Sequence, residues 1–231
     1  MVGFGGFSSF GPAMAARVRG IPVFIHEANR AVGKAVRFLA KRSTRVYLPE
    51  GMLLDGISPE VIRNLGYPLR KEFRRIPKER ARKQIGVSLN DRLLVVLGGS
   101  QGAVSLNRWV KDNLESLASE GIATYCLTGM KNESSGVVQL EGLGGQIVTS
   151  RFVSFTDEMN AVLSAADLVI SRAGAGAIAE IVRCRIPSIL IPYPHAADNH
   201  QFLNAEFLER KGGTILCSEK KMADTLMDEV R

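Results

Sequence analysis

SRAGAGAIAEIVRCRIPSILIPYPHAADNHQFLNA, residues 171–205, is the stretch that decides the fold. A turn of small residues around Gly174 and Gly176 opens a helix predicted over 175–183. That helix carries one carboxylate, Glu180, in an otherwise apolar run, AIAEIV. An apolar strand is predicted over 188–191. A polar loop follows, then a second helix over 199–210 with Gln201 near its first turn. Strand, glycine turn and helix in this order put free backbone amides at the end of a parallel strand, where an anion is favoured. Ala173, Ala175 and Ala177 keep the surface low, so a diphosphate can rest against those amides. A carboxylate in an apolar run is costly unless it is solvated or hydrogen-bonded. A ribose diol would supply two donors to Glu180; a plain exposed helix glutamate is the other reading.

Further upstream the pattern repeats. RLLVVL (92–97) reads as a continuous apolar strand, followed by GGSQG (98–102) and a helix over 103–117. The turn lacks the spacing of a dinucleotide fingerprint and the lysine of a P-loop. Ser100 can give a hydroxyl to a phosphoryl oxygen, and the same glycines also serve a tight packing turn. Strands predicted over 122–127, 168–171 and 213–216, an extended piece over 146–152, and helices over 158–164 and 222–230 complete the alternation. Short apolar strands between three-turn helices indicate a doubly wound α/β fold. Before residue 84 the signal is thinner: a helix over 12–20, a strand over 22–26, a helix over 31–41 and a strand over 45–48. Gly66-Tyr67-Pro68 breaks the pattern. Residues 71–83, charged and containing Pro77, read as a connector, dividing the chain into units 1–83 and 84–231.

Charge follows the same division. Residues 1–83 hold 17 Lys/Arg against 6 Asp/Glu, and the remainder 13 against 17, within a net charge of +7. A basic front segment implies an anionic partner, which is nucleic acid, an anionic membrane or a phosphorylated substrate; a plain solvated surface is the other reading. Nucleic acid is disfavoured, because basic and aromatic residues do not interleave and the basic run 70–83 falls in the expected connector. Cys126, Cys184 and Cys217 match no metal-ligand spacing and fit a reducing compartment.

Two polar clusters remain. His195, Asp198, Asn199, His200 and Gln201 follow a strand. A metal reading lacks a third ligand there, so Asn199 or Asp198 is expected to cap the helix and Gln201 to face a sugar. His26, Glu27 and Asn29 end the strand PVFIH and do not form the HExxH zinc motif.

The segments GFGGF (3–7), IPVFIHEAN (21–29), GYPLR (66–70), GGSQGA (98–103), FTDEM (155–159), SRAGAGAIAE (171–180) and PYPHAADNHQFLNA (192–205) resemble, in order and spacing, the MurG family. These are the bacterial glycosyltransferases that add N-acetylglucosamine to lipid-linked muramyl-pentapeptide in peptidoglycan synthesis. The resemblance implies a GT-B architecture, α/β with two Rossmann-like domains, the N-terminal one incomplete. It implies UDP-N-acetylglucosamine (UDP-GlcNAc) bound mainly by the C-terminal domain, an undecaprenyl-linked acceptor reaching it from the N-terminal domain, and inversion at the anomeric carbon without cofactor or metal. It also implies peripheral attachment to the anionic cytoplasmic face of the cell membrane.

Carried over by position, the substrate-binding residues are Asn29, Arg70, Ser100, Gln101, Thr156, Arg172, Gly174, Ala175, Gly176, Ala177, Ile178, Ala179, Glu180 and Gln201. Thr156 stands where a backbone group reads the uracil edge, Glu180 at the ribose, and Gln201 at the donor sugar. Three positions depart from the family: Ala28 replaces glutamine, Tyr67 asparagine, and His200 glutamine. The family's opening strand and histidine-bearing glycine loop have no counterpart before Gly3, and its closing helices none after Arg231. The catalytic base therefore stays unassigned, with His26 and Glu27 as local candidates. The expectation is slow transfer by these 231 residues alone. The alternatives are a non-catalytic nucleotide-sugar-binding remnant and another GT-B sugar-nucleotide enzyme.

Overall fold

The computed structural model describes residues 1–71, 73–99, 103–130 and 135–231. Two sheets organise the chain. The first is parallel, in the order β1 (Val2–Gly3), β2 (Phe24–His26), β3 (Arg45–Leu48) and β4 (Ile62–Asn64). Helices α1 (Phe7–Val18) and α2 (Lys34–Ala40) pack on it through a core that includes Ala13, Ile25, Val36, Leu39, Val46 and Leu48.

The second sheet has seven strands. β5 (Arg92–Leu97) lies at its centre, with β6 (Ile122–Leu127), β8 (Ile147–Val153) and β7 (Gly136–Glu141) to one side. On the other side lie β9 (Leu168–Ser171), β10 (Ser188–Leu190) and β11 (Ile215–Leu216). All neighbours are parallel except the β7–β8 hairpin. β5 shows why an unbroken apolar run makes such a strand. Leu93, Val95 and Leu97 enter one core while Leu94 and Val96 enter the other, so both faces are covered. The intervening helices are α4 (Val104–Asp112), α5 (Leu114–Ser119), α6 (Met159–Ala165), α7 (Ala175–Cys184), α8 (His200–Arg210) and α9 (Met222–Val230).

Several expected elements differ. α1 begins five residues before Pro12, which lies inside it. Burial of Ala13 and Ala16 holds the helix on the sheet despite the lost amide. The helix expected over 103–117 breaks at Asn113, whose Nδ2 donates to the Trp109 carbonyl at 2.8 Å. An asparagine amide competing with the backbone in this way is a local helix stop. Strands β4 and β7 are absent from the pattern reading because each exposes most of its residues.

The expected connector is the largest correction. Helix α3 (Lys78–Ile85) packs against α6, with Ala81 fully buried. Phe73 and Ala81 join the core of the second sheet. Arg82 is only 2% exposed, yet it is fully served. Its Nε donates to the Ala165 carbonyl, Nη1 to the carbonyls of Ser88, Leu89 and Asp91, and Nη2 to Asp167 at 2.6 Å. A buried guanidinium survives only with such partners.

Lys78 also pairs with Asp167, which accepts the Leu93 amide at 2.8 Å as well. Burial alone would raise the Asp167 carboxyl. The hydrogen bonds from Lys78 and Leu93 and the charges of Lys78 and Arg82 outweigh it and hold the group below the usual carboxylate range. Its stabilising contribution is therefore complete above the unfolded value of about 3.9 and disappears as pH falls through the lower folded value. We expect the urea-unfolding free energy of the wild type to drop more steeply between about pH 5 and pH 3 than that of Asp167→Asn. Parallel curves would show that these contacts contribute nothing net.

Candidate functional site

The chain leaves β5 towards β6 on one side and returns through β9 on the other. Strand order therefore reverses between β5 and β9, where Leu97 lies opposite Ser171 at the carboxyl ends. Such a reversal opens a crevice beyond the strand ends. Here it is a cleft of about 1050 Å³, lined among others by Gly98, Gly99, Thr156, Gly174, Ala177 and Glu180. The two glycine turns thus meet at one site. Gly99 needs its glycine for a φ of 78°. Gly174 has an ordinary φ of −68°, but a Cβ there would point into open space, so its use is a clear approach to the backbone.

Gly174 is the N-cap of α7, and the Ile178 amide is bonded to its carbonyl. The amides of Ala175, Gly176 and Ala177 precede that first intrahelical bond and are available to an anion. The 3.6-residue period then divides the helix. Gly174, Ala177 and Glu180 line the cleft. Ala175, Ile178 and Ala179 line a second cavity of about 470 Å³ shared with Ala28, Arg30 and Tyr67 of the N-terminal unit. A Cβ on Gly176 would meet the Tyr67 ring at 3.5 Å, so Tyr67 covers the start of α7. Burial pushes the Glu180 carboxyl above its usual range, against the opposing charge of Arg70. Arg70 itself is exposed and outside the cleft lining.

Arg172 is already occupied. Its Nη1 pairs with Glu219 at 2.6 Å and reaches the Ile191 carbonyl at 3.2 Å, and its Nη2 donates to Ser105 at 2.9 Å. Burial would raise the Glu219 carboxyl, but hydrogen bonds from Arg172 and Ser105, with the charges of Arg172 and His195, hold it below its usual range. The guanidinium therefore fixes the turn, and the phosphate-ready groups are the amides. Ser105, Glu219 and Arg108 line the cleft without any signal in the sequence reading. Glu219 stands in a charged loop, SEKK, that reads as solvated surface.

Gln201 accepts the amides of Ala173 at 3.3 Å and Tyr193 at 2.9 Å through Oε1. Two N–H donors fix which end is the oxygen, so its NH₂ is the end left for a ligand in the cleft. Thr156 Oγ1 accepts the Glu158 amide at 3.0 Å, ordering the loop at the cleft rim. The cap expected from Asp198 or Asn199 does not form. Asn199 is the N-cap of α8 by position but makes no side-chain cap bond, and both residues have positive φ, at 50° and 54°. Ser100 and Gln101 lie outside the described residues.

Asn29, Glu27 and His26 are not in the cleft lining. Glu27 is buried and accepts the amides of Asn29 at 2.9 Å and Gly33 at 3.3 Å, so it organises its own loop. His26 is buried with Nε2 3.4 Å from the Gly66 carbonyl and its ring against Phe4. The signal for Asn204, which touches Asn29, was its position one turn after Gln201 on α8.

Two Rossmann-like α/β units, the N-terminal one the smaller, with an anion-ready cleft at the reversal point of the larger, make this a GT-B glycosyltransferase fold. Residues 93–231 match the C-terminal domain of glycosyltransferase family 28 and residues 1–48 its N-terminal domain, so the chain belongs to that family. It is 48% identical over 215 residues to the UDP-N-acetylglucosamine--N-acetylmuramyl-(pentapeptide) pyrophosphoryl-undecaprenol N-acetylglucosamine transferase of Opitutus terrae, covering 93% of this chain and 56% of that one. The protein of the same name from Aquifex aeolicus is 34% identical, with coverage of 99% and 64%. The chain thus spans less than two thirds of the length of these curated relatives. The crystal structure of Acinetobacter baumannii MurG superposes with a TM-score of 0.71 at 24% identity, over 99% of this chain and 62% of that one.

Gln201 Oε1 accepts two backbone hydrogen bonds, and their loss is measurable. Gln201→Ala strands two backbone donors, at about 1–3 kcal/mol for each one that stays buried. We expect the Ala173 and Tyr193 amides to exchange hydrogen faster in Gln201→Ala and to stay protected in Gln201→Glu, which keeps an acceptor. Equal exchange in all three forms would refute the clamp.

Proposed function

We propose that this chain carries the donor half of an inverting transfer of N-acetylglucosamine from UDP-GlcNAc to lipid-linked muramyl-pentapeptide. The observation that carries the reading is the cleft itself, where one helix start offers free amides and, about a turn and a half on, a half-buried carboxylate. The diphosphate lies on the amides of residues 175–177, and Glu180 accepts both ribose hydroxyls. Donors from a diol suit a carboxylate that burial has partly deprived of water. The Gln201 amide NH₂ faces the sugar. The names of the relatives support N-acetylglucosamine as that sugar and the muramyl-pentapeptide lipid as acceptor.

In the reaction proposed, the acceptor's 4-hydroxyl oxygen forms a bond to the anomeric carbon while the bond to the diphosphate breaks. The electron pair leaves with UDP, and the hydroxyl proton goes to a base. Charge growing on the diphosphate meets amides already oriented by the Arg172–Glu219 pair, which lowers the barrier without reorganisation. His26 and Glu27 are engaged elsewhere, which supports leaving the base unassigned among the described residues.

The membrane contact proposed is peripheral, at the cytoplasmic face. No helix among the described residues is long and apolar enough to cross a membrane. The N-terminal unit exposes Phe7, Val18 and Phe38, and Arg42 lies 4.1 Å over the Phe38 ring. Basic and apolar groups interleaved in this way suit an anionic lipid surface.

Calorimetry tests the donor assignment. Glu180→Ala should weaken UDP-GlcNAc binding by about 1–3 kcal/mol through loss of charge-assisted hydrogen bonds. Equal affinity in the two forms would reject the ribose role. For the membrane, sedimentation with anionic vesicles should fall as salt rises, and less protein should sediment after Arg37→Glu with Arg42→Glu. Sedimentation indifferent to salt and to lipid charge would remove the electrostatic contribution.

A further inference from the structure

Asn204 lies on α8, one turn after Gln201, and is 6% exposed. Its Nδ2 donates to the Ala173 carbonyl at 3.1 Å and to Asn29 Oδ1 at 3.1 Å. Its Oδ1 accepts the Arg30 amide at 2.9 Å. The direction of this chain of bonds is fixed from one end. Glu27 Oε1 accepts the Asn29 Nδ2 at 3.3 Å, so the Asn29 oxygen is the end that faces Asn204. One side-chain amide therefore binds two groups of the N-terminal unit and one of the turn that opens the cleft. Ala173 is held on both sides by α8, the N–H of its preceding peptide by Gln201 and the carbonyl of its following peptide by Asn204.

We infer that Asn204 is a positioning residue that couples occupancy of the nucleotide cleft to the placement of the loop 27–30 in the other unit. The inference rests on the reading of the cleft as a UDP-sugar site. An anion on the amides of residues 175–177 selects one setting of the turn beside Ala173. That setting fixes the direction of the Ala173 carbonyl. Asn204 cannot follow a different carbonyl without turning its amide plane away from Asn29 and Arg30. By linkage, an N-terminal unit held in place through Asn29 favours the setting that binds the nucleotide. Asn29 thus acts on the donor across the interface while standing outside the cleft lining.

UDP is the probe, because it lacks the sugar and Asn29 can reach it only through Asn204. Titration calorimetry is run on the wild type, Asn29→Ala, Asn204→Ala and the double variant. Each single variant should bind UDP about fivefold more weakly, and the double variant no more weakly than Asn204→Ala. Wild-type affinity in Asn29→Ala, or two losses that multiply in the double variant, would overturn the coupling. Because Asn204→Ala removes a buried group and can unfold, hydrogen exchange on unliganded Asn29→Ala gives a second measurement. Amides 173–176 should exchange faster than in the wild type, and unchanged exchange overturns the coupling by itself. Failure of the wild type to bind UDP would sink the cleft reading, and the exchange result would still decide the link.

Discussion

A helix that starts at the end of a parallel strand leaves its first amides without partners, and the architecture of this chain follows from where those amides are placed. They must face water or a ligand, so the first turn of α7 stays partly exposed, although Ala173 just before it is fully buried. The reversal of strand order between β5 and β9 provides the opening. Everything nearby then serves to hold that turn still. Arg172 is tied to Glu219, Ser105 and a carbonyl, and Ala173 is held by two side chains of α8. A turn fixed before a ligand arrives has little ordering left to undergo on binding.

Charge is used differently from what a basic composition implies. Arg82 and Lys78 are spent on Asp167 within the fold, and Arg172 on Glu219 beside the cleft. The anion-binding capacity lies in backbone dipoles, which do not titrate. Surface basic residues of the first unit, such as Arg37 and Arg42, remain for long-range attraction. Internal pinning and external attraction come from the same residue types, and only partners distinguish them.

The second sheet was legible because its strands are apolar on both faces and its turns carry glycine. β6, β9 and α9 begin and end where the pattern puts them. The convergence of the two glycine turns was legible too, since both follow strands of one parallel sheet. Helix α3 was not: its burial depends on Arg82 finding three carbonyls just beyond the helix and, far along the chain, the Ala165 carbonyl and the Asp167 carboxylate, and a basic run carries no trace of that. Strands β4 and β7 escaped for the opposite reason, since hydrogen bonding to a neighbour holds them with little burial. In the site, Gly174 was readable from the glycine turn and Glu180 as a lone carboxylate in an apolar run, whereas the division of residues 174–180 between two faces, and the arrival of Ser105 and Glu219, come from folding.

Helix α7 separates two hollow spaces, and small residues make up much of its first two turns. It behaves as a thin partition. Bulk added to the Ala175–Ala179 side has no empty slot in the wall itself and must be taken up by the cavity behind it or by movement of the wall into the cleft. The cleft face can then be reshaped from behind by side chains that never line the cleft. A lineage could alter the shape of the cleft through the hidden side of this helix while leaving Gly174, Ala177 and Glu180 unchanged.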